Sequence, residues 1–253
     1  MVVNLVRRDL KVRHRGTFLG MLWSLTTPLM MVGLFYVVFK YILHASSIKD
    51  VRSVPFVVYL FCGLAVWNLF SVGLSGATGS ILGSSYLLRK VYFPRAILPL
   101  TSVLSALVTF AFEFGVALVA AIISVGIPSW RIIWVPLLVL MVCYFTYGMG
   151  LLLAALAVSF RDVVHFVGIL LQVWFWGTPI LYSLQFVDNH PGFQFLLKLN
   201  PMTGLVVGFR NVVLLNHPPS VPLLAYDLLA STVVFVVGAV VFNHGQRMFP
   251  ELV

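Results

Sequence analysis

The chain has 253 residues, 61% of them apolar, with 16 basic and 7 acidic side chains, a formal net charge of +9 and a mean hydropathy of +1.05. A soluble domain is about a quarter charged, so a cytosolic enzyme, a disordered chain and a disulfide-stapled secreted module are excluded. Charge-free runs at 16–39, 53–88, 96–112, 114–130, 132–160, 163–187, 211–226 and 228–246 leave a polytopic helical membrane protein. Several of them exceed the roughly 20 residues that cross a bilayer as a helix, and none alternates as a barrel strand does.

The first segment reads as a basic amphipathic helix over residues 1–16. On a helical wheel Arg7, Arg8, Lys11, His14 and Arg15 share one face, and Val2, Val3, Leu5, Val6, Leu10 and Val12 the other. Asp9 and Arg13 interrupt the apolar side at i, i+4 spacing, where they can pair. Such a helix suits either the anionic inner leaflet, as a topology anchor, or a groove in another polypeptide. A cleaved signal peptide fits poorly, because no small-residue cleavage site precedes Lys40.

Six spans follow, at about 22–39, 55–76, 97–125, 132–159, 163–183 and 222–243. Cys62 and Cys143 lie inside apolar runs with no ligand partner nearby and read as small apolar fillers. Gly79 and Gly83 form a small-xxx-small pair, a common helix-packing motif. The loop LLRKVYFPRAILP, Leu87 to Pro99, sets Val91, Tyr92 and Phe93 among Arg89, Lys90 and Arg95, with Pro94 holding Phe93 extended. Exposed aromatics between cations suit a docking surface; a membrane-anchoring turn is the alternative.

Glu113 falls near the middle of the third span. An ionisable group at that depth costs about 2.5–3.5 kcal/mol on insertion scales, so it must face protein or water. It either lines a polar path or ties two spans together by hydrogen bonds. Trp130 and Trp134 read as an interfacial belt, and Arg161 with Asp162 form a short turn that makes the fourth and fifth spans antiparallel neighbours. Trp174 and Trp176 sit mid-span ahead of Gly177, Pro179 and Tyr182. Their faces suit the C–H faces of sugar rings, or ordinary packing. Between 184 and 221, apolar pieces too short to span flank Asn200 and Pro201 and contain Arg210, which points to re-entrant or interfacial helices. Asp227 lies near one end of the sixth span and carries less information.

With the N-terminus inside, the cytoplasmic segments hold ten basic residues and the outer segments six, which places both termini in the cytoplasm. No GxxxxGK[ST] phosphate cradle, HExxH or paired carboxylates occur, so the chain is expected to be no enzyme, with no metal and no cofactor of its own.

Several stretches together resemble the permease subunits of two-component ABC exporters of cell-surface polysaccharide, the O-antigen, teichoic acid and cell-wall glycan exporters. They are RRDLKVRHRGTFLGMLWSLTTPL at Arg7 to Leu29, LLRKVYFPRAILPL at Leu87 to Leu100, SFRDVVHFV at Ser159 to Val167, TPILYS at Thr178 to Ser183 and LNPMTGLVVGFRNVVL at Leu199 to Leu214. The resemblance implies a single all-α permease domain over 1–253 in the bacterial inner membrane, with six spans and outer re-entrant helices between the fifth and sixth. It implies a second copy of the chain, a lipid-linked glycan cargo, no nucleic acid, and a separate nucleotide-binding subunit that holds ATP and Mg.

The same resemblance makes residues 1–16 a gating interface helix; its charged residues Arg7, Arg8, Asp9, Lys11, Arg13 and Arg15 are the candidates for contact with a cargo diphosphate, with a topology anchor as the rival reading. It makes Arg89, Lys90, Val91, Tyr92, Phe93, Pro94 and Arg95 a coupling segment, with Arg161 and Asp162 a second contact, and puts Asn200, Pro201 and Arg210 near the exit. Trp23, Glu113, Trp174, Trp176 and Tyr182 are the candidates for lining the passage. Glu113 matches no motif of that family. An ABC-type drug or lipid exporter permease is the nearest alternative, and a proton-coupled carrier using Glu113 a more distant one.

Overall fold

Runs that are apolar on every face cannot leave backbone N–H and C=O groups unpaired in hydrocarbon, and a helix pairs them within one segment. The computed structural model describes residues 2–13, 23–38, 54–84, 86, 93–184 and 191–246, and every regular element among them is helical. In chain order these are α1 (Val2–Arg13), α2 (Trp23–Val37), α3 (Phe56–Gly79), α4 (Ile97–Ser124), α5 (Trp134–Ser159), α6 (Val163–Trp176), α7 (Pro191–Lys198), α8 (Pro201–Leu214) and α9 (Val221–Gly245). Single 3-10 turns occupy Leu82–Ser84 and Trp130–Ile133.

Among the described residues, four helices are long and apolar enough to cross a bilayer: α3, α4, α5 with the turn before it, and α9, at 24 to 30 residues each. At about 1.5 Å per residue they reach ~36–45 Å, beyond the ~30 Å hydrocarbon core. The 15 residues of α2 reach only ~22 Å along their described length. Helix α6 stops at Trp176, short of the expected 183, because Gly177 caps it and Pro179 has no N–H and disfavours helix at Thr178.

The four long helices are not equivalent. Within its most apolar stretch α3 is 78% buried by the rest of the chain, against 17% for α9, so α3 is the central post and α9 lies outermost. Helices in lipid gain little from burying apolar surface against one another and rely on close contact at small residues. A Cβ added at Gly238 of α9 would overlap the Gly148 carbonyl oxygen of α5, and one at Gly150 would lie 2.7 Å from the Ala77 Cβ of α3. Gly79 and Gly83, by contrast, face open space and close no contact among the described residues.

Aromatic rings fill the centre. Phe70 of α3 stacks on Phe145 of α5 at 5.6 Å and meets Trp174 of α6 edge-on at 5.1 Å. A smaller apolar cluster closes one end of the bundle, joining Ile81, Phe93, Leu98, Leu151, Val158 and Phe242. Phe93 departs here from the expectation of an exposed loop aromatic: it is 8% exposed, because Pro94 turns the chain into α4 and folds the ring under the ends of α5 and α9. Helix α1 packs along α4, with Arg7 and Arg8 exposed and Leu5, Val6 and Leu10 half-buried, as its two faces require.

Candidate functional site: an aromatic and amide cleft

A cleft of about 390 Å³ opens between α2, α3 and α6. Helix α3 supplies Leu64, Trp67 and Asn68, and α6 supplies Leu171, Gln172, Phe175 and Trp176, each set at spacings that share one helix face. Pro28 and Met31 of α2 form the third wall. The lining is mostly apolar, with three aromatic rings, two amides and no charged side chain among the described residues. Trp67 and Phe175 meet edge-on at 5.7 Å, and Phe175 and Trp176 do the same at 5.7 Å, so the rings are held by one another. Trp176 is 58% exposed, and its backbone carbonyl accepts the Tyr182 hydroxyl at 3.0 Å. Ring faces take apolar C–H surfaces while amides bond hydroxyls, a combination that suits a neutral, hydroxyl-bearing ligand.

The two expected tryptophans therefore separate. Trp176 faces the cleft, whereas Trp174 turns into the core, where its indole N–H donates to Asn200 Oδ1 at 2.9 Å. Asn200 is saturated: the same Oδ1 accepts from the Met202 N–H at 3.0 Å, capping α8, and Nδ2 donates to Gly177 O at 3.0 Å and Thr178 Oγ1 at 2.9 Å. Pro201 follows at the first helical position, where its missing N–H costs nothing. The Asn-Pro pair thus welds the broken end of α6 to the start of α8.

Arg210 of α8 completes that weld. Its guanidinium is 2% exposed and donates from Nε to Tyr59 O at 3.0 Å, from Nη1 to Pro179 O at 2.6 Å and from Nη2 to Ile180 O at 2.5 Å. It also lies 3.8 Å from the centroid of the Tyr59 ring. Pro179 and Ile180 follow the end of α6, where carbonyls lack a helical partner, and in a buried site a fixed fork of donors is an efficient way to satisfy several together. At the far end of α8, Asn216 adopts a left-handed φ of 53° and bridges to the turn before α5: its Oδ1 accepts from Ser129 N at 2.8 Å, and its carbonyl accepts from Arg131 Nη1.

Two acids lie deep. Glu113 of α4, 2% exposed, accepts from Asn68 Nδ2 at 3.4 Å through each carboxyl oxygen, so it ties α4 to α3 behind the cleft wall rather than lining it. Asp227, expected to carry little information, is fully buried against Gly204 in the first turns of α8, a place open only because Gly204 has no Cβ. Neither Asp227 carboxyl oxygen, nor the Thr203 hydroxyl, has a hydrogen-bond partner among the described residues.

The chain is similar to known proteins along its length. The model of the ABC-2 type transporter family matches residues 2–214. This chain belongs to the ABC-2 type transporter membrane family. An O-antigen export system permease protein RfbA from Myxococcus xanthus is 31% identical over 252 residues, covering 99% of this chain and 94% of its own length. Two proteins of the same name from Klebsiella pneumoniae are 26% and 24% identical over 253 residues, all of this chain and 94% of theirs.

As an ABC-2 membrane component the chain implies a partner that binds ATP. Of the residues expected to meet that partner, Arg161 and Asp162 are exposed in the turn between α5 and α6, beside Phe160, which is 67% exposed. Pro94 is exposed and Arg95 half-buried at the same end of the bundle, since Phe93 and Val158 share one cluster. Arg15, Arg89, Lys90, Val91 and Tyr92 lie outside the described residues; Lys11 and Arg13 lie in α1, and Trp23 opens α2. No group of three or more His, Cys, Asp or Glu that could hold a metal occurs among the described residues.

Sequence reasoning passed over Trp67, Asn68 and Gln172. Asn68 and Gln172 carried a usable signal, since amides inside long apolar runs pose the same burial problem as Glu113.

Proposed function

We propose that this ABC-2 chain is the transmembrane subunit of an ATP-driven exporter that moves a polyprenyl-diphosphate-linked polysaccharide from the inner leaflet across the cytoplasmic membrane. The observation that carries this reading is similarity across 99% to 100% of the chain to three permeases of O-antigen export systems. The apolar lining of the cleft, with its three rings and two amides, supports it, because a long glycan must slide past its contacts rather than be captured by them. O-antigen and teichoic acid types of glycan both fit that chemistry.

In this reading the permease has six spans, with α2 and α6 completing the four long helices, and α7 and α8 form a re-entrant pair on the outer side. Both termini are cytoplasmic. Two copies flank the passage, and a separate nucleotide-binding subunit holds ATP and Mg. Helix α1 is the interface helix, and the basic cluster Arg7, Arg8, Lys11, Arg13 and Arg15 at this end of the sequence attracts the cargo diphosphate. The segment Arg89 to Arg95 and the turn at Arg161 and Asp162 couple to the ATPase. ATP acts by favouring one of two packings of the spans, and it can do so only through unequal affinity for them. Trp67, Trp176 and Tyr182 line the passage or its rim, and Trp174 holds the helix end that presents them.

The test is replacement of the gene in its own host by single variants. Arg8→Gln and Arg13→Gln, with insertion intact, lower surface glycan if α1 serves the diphosphate; unchanged export removes that role. Purification in mild detergent yields a roughly stoichiometric ATPase if the subunit assignment holds.

A further inference from the structure

Helix α7 has eight residues, about 12 Å of helix, and is too short to span. Leu197 is buried and fastens it to the bundle. On the other side, Gly192, Phe195, Leu196 and Leu199 follow one another at i, i+3, i+4 and i+7, Leu199 lying just past the helix end. All four are exposed, Phe195 by 64% and Leu196 by 61%, and they form one apolar stripe. Lys198, also exposed, flanks it.

The C-terminus of a short helix leaves carbonyls bare, which hydrocarbon does not tolerate. Here they are covered. Phe195 O accepts from Leu199 N at 3.0 Å, Leu197 O accepts from Asn200 N at 3.2 Å, and Leu199 O accepts from the Tyr226 hydroxyl at 2.6 Å. The last bond also fixes where the stripe lies. Tyr226 comes five residues after Val221, about 8 Å along α9 from its start, and the exposed Leu228 and Leu229 follow it. Helix α9 is the outermost of the spanning helices, so these leucines meet acyl chains. The stripe of α7 therefore continues a lipid-covered surface at the end of the bundle where α9 begins.

We propose that α7 lies along the membrane surface at that end, with Phe195, Leu196 and Leu199 among the upper acyl chains and Lys198 at the lipid phosphates. An apolar stripe with a flanking cation takes this position because the stripe leaves water while the ammonium reaches an anion. Helix α7 is then the surface arm of a pair whose buried arm is α8, and the lipid contact runs through Leu199 directly into the Asn200 weld. A second copy of the chain is the other occupant such a stripe could take; its continuity with Leu228 and Leu229 favours lipid. The inference needs only a membrane protein, whatever its cargo, so it stands or falls separately from glycan export.

The experiment uses the full chain with its partner ATPase in vesicles of phosphatidylethanolamine and phosphatidylglycerol. Spin labels are attached one at a time through Phe195→Cys, Leu196→Cys, Lys198→Cys and Leu199→Cys, after Cys62→Ala and Cys143→Ala have removed the native thiols. Molecular oxygen collects in hydrocarbon, and a nickel chelate stays in water. Oxygen is expected to relax the labels at 195, 196 and 199 more than the chelate does, with the order reversed at 198. Stronger relaxation by the chelate at 195 and 196 would put the stripe in water and overturn the proposal. Labels there that are shielded from both reagents would overturn it as well, and dipolar broadening between them would identify a second copy as the cover.

A second measurement needs no substitution and decides the matter if the cysteine variants do not assemble. The native complex is irradiated in vesicles that carry a phospholipid with a diazirine high on its acyl chain. Adducts are expected on the Phe195 to Leu199 segment as well as on Leu228 and Leu229. Adducts on α9 with none on that segment would contradict the lipid contact.

Discussion

Gly63 and Arg210 are matched across a helix contact: a Cβ on Gly63 would overlap Arg210 Nη2, so the absence of one side chain makes the socket for the other. The guanidinium in that socket bonds three carbonyls, from Tyr59, Pro179 and Ile180. Removing either partner leaves carbonyls or a cation unpaired in a low-dielectric interior. Gly63→Ala and Arg210→Lys are each expected to lower the melting temperature in detergent by on the order of 5–10 °C. Lysine fails although it keeps the charge, because one ammonium cannot reproduce the planar fork. A melting temperature unchanged in Arg210→Lys would show that charge rather than geometry holds the site.

Asn200 joins three elements through four bonds, so its substitution should be read by which bond is lost. Asn200→Asp keeps the α8 cap and the Trp174 bond but gives up the donor to Gly177 O and Thr178 Oγ1. Asn200→Ala loses all of them. The expected order of stability is native, Asp, Ala, with each step about 1–2 kcal/mol. Equal loss in both variants would assign the whole effect to the amide nitrogen.

Gly204 carries a separate prediction. A Cβ there would overlap Asp227 Oδ2, so Gly204→Ala forces α8 and α9 apart. Asp227→Ala should relieve the clash, and the double variant Gly204→Ala with Asp227→Ala should melt higher than Gly204→Ala alone. Additive losses in the double variant would mean that the two residues do not meet.

Trp174 and Trp176, two positions apart, are expected to fail in different ways. Trp174→Phe removes the bond to Asn200 and should lower stability while whatever folds still exports. Trp176→Ala removes a 58% exposed ring and should leave melting within a few degrees but reduce surface glycan severalfold. The opposite pattern, a destabilised Trp176→Ala and a silent Trp174→Phe, would reverse their assignment.

The membrane character, the helical class and the long spans were legible because a shortage of charge over some 20 residues has one physical solution. The Asn200-Pro201 turn was legible for the same kind of reason, since a proline after a capping side chain has few uses other than starting a helix. Which face of a helix meets protein was not. Helices α3 and α9 are apolar all round, with mean hydropathies of 1.9 and 2.1 over their spanning stretches, yet one is the core and the other the rim. Periodicity cannot separate lipid from protein when both are apolar. The same blindness made Trp174 and Trp176 look alike, left Asp227 undervalued and placed Phe93 in solvent. Glu113 showed the need for a partner, but the partner, Asn68, is 45 residues away in sequence and only packing brings them together.

The central claim, export of a lipid-linked glycan, is tested most directly by depleting this chain in its own host while following the lipid-linked precursor in each leaflet and the glycan at the surface. The account predicts that the precursor builds up in the inner leaflet, surface glycan disappears, and the block is reproduced by removing ATP but not by collapsing the proton gradient. Surface glycan that persists after depletion, or export that follows the proton gradient and ignores ATP, would contradict it.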